Sequence, residues 1–191
     1  MGFFSFSTLP VLKTQRLILR PLKVGDARAI YEYSNKPGFG QCLKRKKPFT
    51  RRDVIKYVSG ILNKEPVVYW VMLLKKNNQL IGDCGLCEWN QQAQRAELSY
   101  AVSPDAWNQG YATEAALCVM QFGFENTGVN RIQAICNSAN SRSERVMQKC
   151  GLKPEGVLRQ YIQCDGQPLD MKMYSILKQE WAESQKIKNE T

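Results

Sequence analysis

Apolar positions along the chain repeat with two periods, and the switches between them mark out the elements. Residues 16–20, Arg-Leu-Ile-Leu-Arg, alternate as a short strand, after an arm over residues 1–10 that ends at Pro10. Asp26 stands before a stripe of Ala27, Ile30 and Tyr31, which predicts a capped helix to about Ser34. A loop from Lys36 to Phe49 follows, punctuated by Pro37, Gly38, Gly40 and Pro48. Thr50 with Asp53 resembles a capping box and opens a second helix to about Asn63, striped by Val54, Tyr57, Val58 and Ile61. From Val67 to Leu74 the residues are β-branched and aromatic and end in Lys75-Lys76-Asn77-Asn78, a hairpin signal. Residues 79–89 and 94–102 continue as strands, whereas 109–125 is apolar nearly all round and predicts a helix buried against a sheet. A strand at 131–137, a helix at 141–150 stopped by Gly151, and two strands joined at Asp165-Gly166 complete the order. Residues 179–191 read as a fraying tail.

This order predicts an α/β domain over residues 11–178, with a central mixed sheet of about seven strands flanked by four helices. At 191 residues the chain has room for one domain. Apolar residues (43%) and charged residues (23%) are at ordinary globular levels, so nothing in the composition argues for disorder or a fibrous fold. No apolar run approaches the roughly 18–20 residues that span a bilayer. The opening Met-Gly-Phe-Phe-Ser-Phe carries no targeting pattern, which gives a cytoplasmic expectation.

The count that excludes most is histidine, of which there is none. Nucleophilic schemes that need a His base are ruled out, as are His-ligated metal sites. Proton transfer must use Glu, Asp, Tyr, Ser, Cys, Lys or water. The seven cysteines are odd in number and scattered in apolar stretches, which argues against a disulfide framework and for a reducing compartment. Cys84 and Cys87 have no second pair at metal-site spacing, and strand alternation puts them on opposite faces, so no metal is expected.

Chemistry points to one turn. In Val102-Ser103-Pro104-Asp105-Ala106-Trp107-Asn108-Gln109-Gly110-Tyr111-Ala112-Thr113-Glu114-Ala115 a strand ends, a turn follows, and Gly110 opens the long buried helix. Gly110 and Ala112 let the backbone approach a ligand, and the first N–H groups of the helix carry the positive end of its dipole. That is an anion site suited to a pyrophosphate, although a plain helix start with a turn glycine gives the same pattern. The glycine-rich signatures of dinucleotide-binding and Walker-type sites are absent.

The stretch Trp107 to Ala115 resembles the acetyl-CoA pyrophosphate loop of GNAT-superfamily N-acetyltransferases of the RimJ/RimL type, with Trp107 where Gln or Arg is usual. Three further segments resemble that family in the same order. These are Thr14 to Leu22, its opening strand; Asn137 to Leu152, its second shared segment; and Gly166 to Tyr174 with Asp170, its closing hairpin. The resemblance covers residues 14 to about 178. It implies that an amine attacks acetyl-CoA directly, without an acyl-enzyme. It also implies that the backbone N–H groups of Gln109, Gly110, Tyr111, Ala112 and Thr113 hold the pyrophosphate, that Trp107 and Asn108 belong to the same cofactor-binding loop, and that Tyr100, Ala101 and Val102 pair with pantetheine and polarise the acetyl oxygen. Asn140 would contact pantetheine while capping its helix.

Ser143 shares a helix face with Val146, Met147 and Cys150, and the resemblance makes it the acid for the leaving thiolate; a bond back to the preceding turn is the alternative. Glu97, on the strand leading into the loop, is the candidate base, unless it pairs with Arg95. The Glu that RimL-type enzymes use is replaced here by Arg159-Gln160-Tyr161, so water, Asp170 or Tyr161 are the other candidates.

The net charge is +10, and Lys44, Arg45, Lys46, Lys47, Arg51 and Arg52 crowd the loop where family members admit the acceptor. This favours an acidic or RNA-rich partner over a polyamine, or else marks a solvated face. The expected acceptor is a protein N-terminal amine or a small amine, used by a monomer or homodimer. The contrasting expectation is a basic RNA- or ribosome-binding module on the same scaffold, with weak or no catalysis.

Overall fold

The computed structural model describes residues 9–40, 48–64 and 68–189, with side chains described to Lys186. Eight strands form one sheet in the order β1-β2-β3-β4-β5-β6-β8-β7. They are β1 (Leu12–Lys13), β2 (Leu17–Pro21), β3 (Val68–Leu74), β4 (Leu80–Asn90), β5 (Arg95–Val102), β6 (Arg131–Asn137), β7 (Lys153–Cys164) and β8 (Gln167–Leu177). Five α-helices accompany them among the described residues: α1 (Ala27–Ser34), α2 (Arg51–Leu62), α3 (Tyr111–Asn126), α4 (Ser141–Lys149) and α5 (Lys178–Asn189).

The α/β class holds, with three corrections. The two-residue β1 pairs with Leu19 and Ile18 and makes an eighth strand too short for periodicity to reveal. The expected fraying tail is α5, anchored by Trp181, which is buried against Phe124 at 5.7 Å between ring centroids, and by Glu180, which accepts from the Leu177 N–H at 2.9 Å. Asp26 does not cap α1. Its carboxylate takes Arg20 at 2.6 and 2.8 Å and the Lys23 N–H at 2.9 Å, a tighter charge-assisted set than a cap offers. The Thr50–Asp53 capping box of α2 is formed as expected. Of the basic loop, Lys44 to Lys47 lie outside the described residues; Arg51 and Arg52 are exposed at the start of α2.

Strand alternation divides the interior in two. Trp70, Met72, Leu86 and Leu98 face α3, whose Ala115, Ala116, Val119 and Met120 are fully buried. Tyr69 and Val71, on the other face, pack with Ile30 and Tyr33 of α1 and Val54 and Val58 of α2. In the middle of that second core sits a carboxylate, Asp83, with no exposed surface. Its Oδ1 accepts from the hydroxyls of Tyr57 at 2.8 Å and Tyr69 at 2.9 Å, and Oδ2 accepts from Tyr33. Tyr69 also reaches Ser99 Oγ at 3.2 Å. Burial pushes the Asp83 carboxyl above its ordinary value while the three phenols pull the other way. This cluster ties α1, α2, β3, β4 and β5 at one point.

All strand pairs are antiparallel except β5 with β6, and that parallel pair spans only Arg95↔Arg131, Ala96↔Ile132 and Glu97↔Gln133. Beyond Glu97 both strands continue without pairing, and β6 stays on β8 as far as Asn137↔Met171. The sheet is therefore split between β5 and β6 over the second half of each.

Replacing Asp83 by Ala leaves the buried phenols of Tyr33 and Tyr69 without their acceptor. It should cost about 3 kcal/mol of unfolding free energy in urea titrations. A loss under about 1 kcal/mol would contradict the role given to this cluster.

Candidate active site

Ser103 donates to Ile81 O at 2.7 Å, so by the alternation of an antiparallel ladder the backbone groups of Ala101 and Ser99 face β4. Those of Leu98, Tyr100 and Val102 face the split. The Val102 carbonyl is already engaged there, accepting from the Trp107 indole N–H at 2.8 Å. Trp107 is held in turn by the Arg142 guanidinium, 4.5 Å above its ring.

After β5 the chain makes a short 3-10 turn at Pro104–Ala106 and two residues with positive φ, Asn108 (59°) and Gly110 (79°). Gly110 is the N-cap of α3 and provides no capping side chain, so the first N–H groups of this 16-residue helix face outward. Arg16 braces the turn by donating to Gln109 O at 2.8 Å and Glu114 Oε2 at 2.6 Å, and it stacks 4.5 Å over Tyr111. Glu114 also accepts from the Arg16 N–H and from Thr14. Burial works to raise its carboxyl, but the Thr14 and Arg16 hydrogen bonds outweigh it and hold the group below the ordinary carboxylate range.

A cavity of about 340 Å³ opens at this helix start, between β5, α3 and α4. Tyr100, Ala101 and Val102 line it from the strand, Trp107, Asn108 and Gly110 from the turn, and Tyr111, Ala112 and Thr113 from the helix. Asn140 and Ser143 line it from α4, and Asn140 caps that helix by accepting from the Ser143 N–H at 3.1 Å. Gln109 is not in the wall: its side chain donates to Asp105 O at 3.1 Å, so it shapes the turn from behind.

Ser143 does not bond back to the preceding turn. Its Oγ lies 2.8 Å from the Tyr100 hydroxyl, which also donates to the Ser143 carbonyl at 3.0 Å. Burial raises the Tyr100 phenol while the Ser143 bond opposes it, and burial prevails.

Glu97 lies on the opposite face of β5, away from this cavity. Its partner is Gln133 Nε2 at 3.3 Å, and no ion pair joins it to Arg95 among the described residues. Burial raises its carboxyl above the ordinary value, with Gln133 opposing and Glu88 reinforcing. Of the other candidate bases, Asp170 accepts from the Gln160 N–H at 2.8 Å, and Tyr161 is exposed on β7.

Sequence reasoning missed four groups. Arg142, Arg145 and Lys149 also line the cavity, and their spacing of three and four residues was a legible helix face hidden beside the apolar stripe of α4. Asp83 is the fourth, an acid inside an otherwise apolar strand.

The profile of the acetyltransferase (GNAT) domain matches residues 16–153. The chain belongs to the GNAT acetyltransferase family. It is 32% identical over 181 residues to the uncharacterized N-acetyltransferase YoaA of Bacillus subtilis, covering 88% of this chain and 97% of that protein. Over 105 residues it is 28% identical to YdaF of the same organism, named as a candidate ribosomal N-acetyltransferase, covering 55% of this chain and 57% of YdaF. Among solved structures, a GNAT-family acetyltransferase from Bacillus anthracis superposes with a TM-score of 0.75 at 27% identity, covering 89% of this chain and 99% of that one. As a GNAT protein the chain is an N-acetyltransferase with acetyl-CoA as its co-substrate.

The residues present fit that co-substrate. Outward N–H groups of α3 suit a pyrophosphate, three cations border them, and the split offers the unpaired strand backbone of Tyr100. At the far end of β6 the buried Asn137 Nδ2 and Ser138 Oγ have no partner among the described residues, an expense of about 1–3 kcal/mol each.

A Val at Gly110 must adopt a φ of about +79° that β-branched residues resist, which closes the turn's approach. Acetyl-CoA affinity measured by calorimetry on Gly110→Val should fall about tenfold or more while the protein stays folded. Unchanged affinity would remove this turn from the binding site.

Proposed function

We propose that the protein transfers the acetyl group of acetyl-CoA to a primary amine by direct attack in a ternary complex, at the split between β5 and β6. One observation carries this reading: the candidate acid and the candidate base flank β5 from opposite faces, beside the point where it leaves β6. The N–H groups of Gly110 to Thr113 hold the pyrophosphate, with Arg142, Arg145 and Lys149 near its charges. Asn140 contacts pantetheine, and the backbone of Tyr100 pairs with it and polarises the acetyl oxygen. Acetyl-CoA supplies an activated thioester carbonyl, so no nucleophilic side chain is needed.

Glu97 takes a proton from the incoming ammonium, directly or through water. Ser143, oriented by Tyr100, gives its hydroxyl proton to the sulfur as the C–S bond breaks and takes another from water. Overall the ammonium and acetyl-CoA give the acetamide, CoA thiol and one released proton.

The acceptor is a small amine or, in the manner of RimJ/RimL-type enzymes, a protein N-terminus; the name of YdaF supports the second. A location in the cytoplasm accords with six described cysteines that are all free thiols, and no helix among the described residues is long and apolar enough to cross a membrane. A primary role in RNA binding is less well supported, because Arg142, Arg145 and Lys149 line the cavity at the start of α3, where they serve a bound anion.

Because burial raises the Glu97 carboxyl, its base form becomes the majority species at a higher pH than for an ordinary carboxylate. The rate kcat/KM should thus rise with pH through a pKa above the ordinary carboxylate value. Glu97→Gln should erase this limb and lower kcat about 100-fold; an unchanged pH profile would transfer the role to another group. Ser143→Ala should lower kcat about tenfold at constant KM for acetyl-CoA, and wild-type kcat would leave Ser143 with capping neighbours only.

A further inference from the structure

The face of β5 that carries Glu97 opens on a second cavity, of about 660 Å³, walled by α2, β3, β4 and β5. Glu97 is not itself in the lining, but it lies on β5 between Arg95 and Ser99, which are. Its register partner Cys87 and its same-face neighbour Ser99 both line the cavity, and the charges acting on its carboxyl, Glu88, Arg95 and Lys64, line it too. The cavity lies on the Glu97 side of β5, while Ser143 and Tyr100 stand on the other.

The walls state what such a group must be. Tyr57 and Tyr69 turn their hydroxyls away toward Asp83, leaving ring carbons to join Ile61 and Trp89 as apolar surface. The Cys87 thiol is pushed up to about 12, by burial first and the Glu97 charge second, so it stays protonated and neutral. Among the charges, Lys64 and Glu88 form an ion pair with each other. Lys56 and Arg95 have no ion-pair partner among the described residues, so the cavity is net positive. Arg95 and Glu97 are two residues apart on one face of a strand, about 7 Å along it. A cation and a proton acceptor at that spacing match a molecule that carries both an ammonium and a carboxylate.

We infer that this cavity receives the acceptor, and that the acceptor is a free amino acid with an aromatic or branched apolar side chain. This rests on the acetyltransferase reading above and selects its small-amine branch. The carboxylate is held by Arg95 with Lys56, the side chain lies against Tyr57, Tyr69 and Trp89, and the ammonium lies at Glu97. Glu97 takes one ammonium proton, the nitrogen lone pair forms the C–N bond, and the C–S electron pair leaves on sulfur. Polyamines are disfavoured by the uncompensated cations.

The test compares L-tryptophan and L-phenylalanine with tryptamine and phenethylamine, which lack only the carboxylate. Spermidine and an N-terminal aromatic peptide amide complete the set. Binding to the full chain is read by calorimetry with and without CoA, and turnover by thiol release from acetyl-CoA. The amino acids should bind, and turn over, about tenfold better than their decarboxylated amines, which corresponds to one charge-assisted contact. Arg95→Gln should abolish that preference while leaving acetyl-CoA affinity unchanged, and Lys56→Gln should reduce it. Equal or better use of the amines, spermidine or the peptide amide overturns the proposal, as does a preference that survives Arg95→Gln. Failure of acetyl-CoA to bind would defeat the acetyltransferase reading instead, since amino-acid binding is read without it.

Discussion

The constraint on which this molecule turns is the short parallel contact between β5 and β6. Three residues of each strand pair, and then the strands part while each stays hydrogen-bonded to its outer neighbour. A sheet interior with unpaired backbone is costly unless something occupies the gap. The gap suits a strand-like ligand, and in the proposed reading an extended pantetheine with its amides is that ligand. The αL turn at Gly110 and the open start of α3 line the same cavity as Tyr100, which borders that gap.

The split also separates two chemistries. On the α3 and α4 face, Tyr100 and Ser143 share hydrogen bonds at the mouth of a small, cation-edged cavity. On the α1 and α2 face, Glu97 stands in a partly desolvated position near a larger one. Asp83 keeps this second face in place. Its three phenol partners come from α1, α2 and β3, and two of them, Tyr57 and Tyr69, line the larger cavity, so the shape of that cavity depends on a carboxylate just behind its wall. Stability and site geometry are thus coupled through one buried acid.

What could be read from sequence followed the range of the interactions involved. The Thr50 capping box, the Asn140 cap, the Asp165-Gly166 turn and the anion turn at Gly110 are each written within a few residues, and periodicity found the elements around them. The Asp83 cluster was not legible, because Tyr33, Tyr57, Tyr69 and Asp83 span 50 positions and meet only after the sheet and helices assemble. Ser143 was legible as a hydroxyl on a buried stripe, yet its partner Tyr100, 43 positions earlier, was not. The tail misled for a similar reason: α5 is polar along most of its length, and one aromatic residue, Trp181, docks it.

The central claim is that the gap between β5 and β6 and the start of α3 form one continuous binding surface for acetyl-CoA. Backbone amide hydrogen exchange, compared with and without acetyl-CoA, tests it residue by residue. The account requires slower exchange at Gly110 to Thr113 and at Tyr100 together, since one bound molecule spans both. Binding that leaves those amides exchanging at their unliganded rates would place the co-substrate elsewhere and contradict the account.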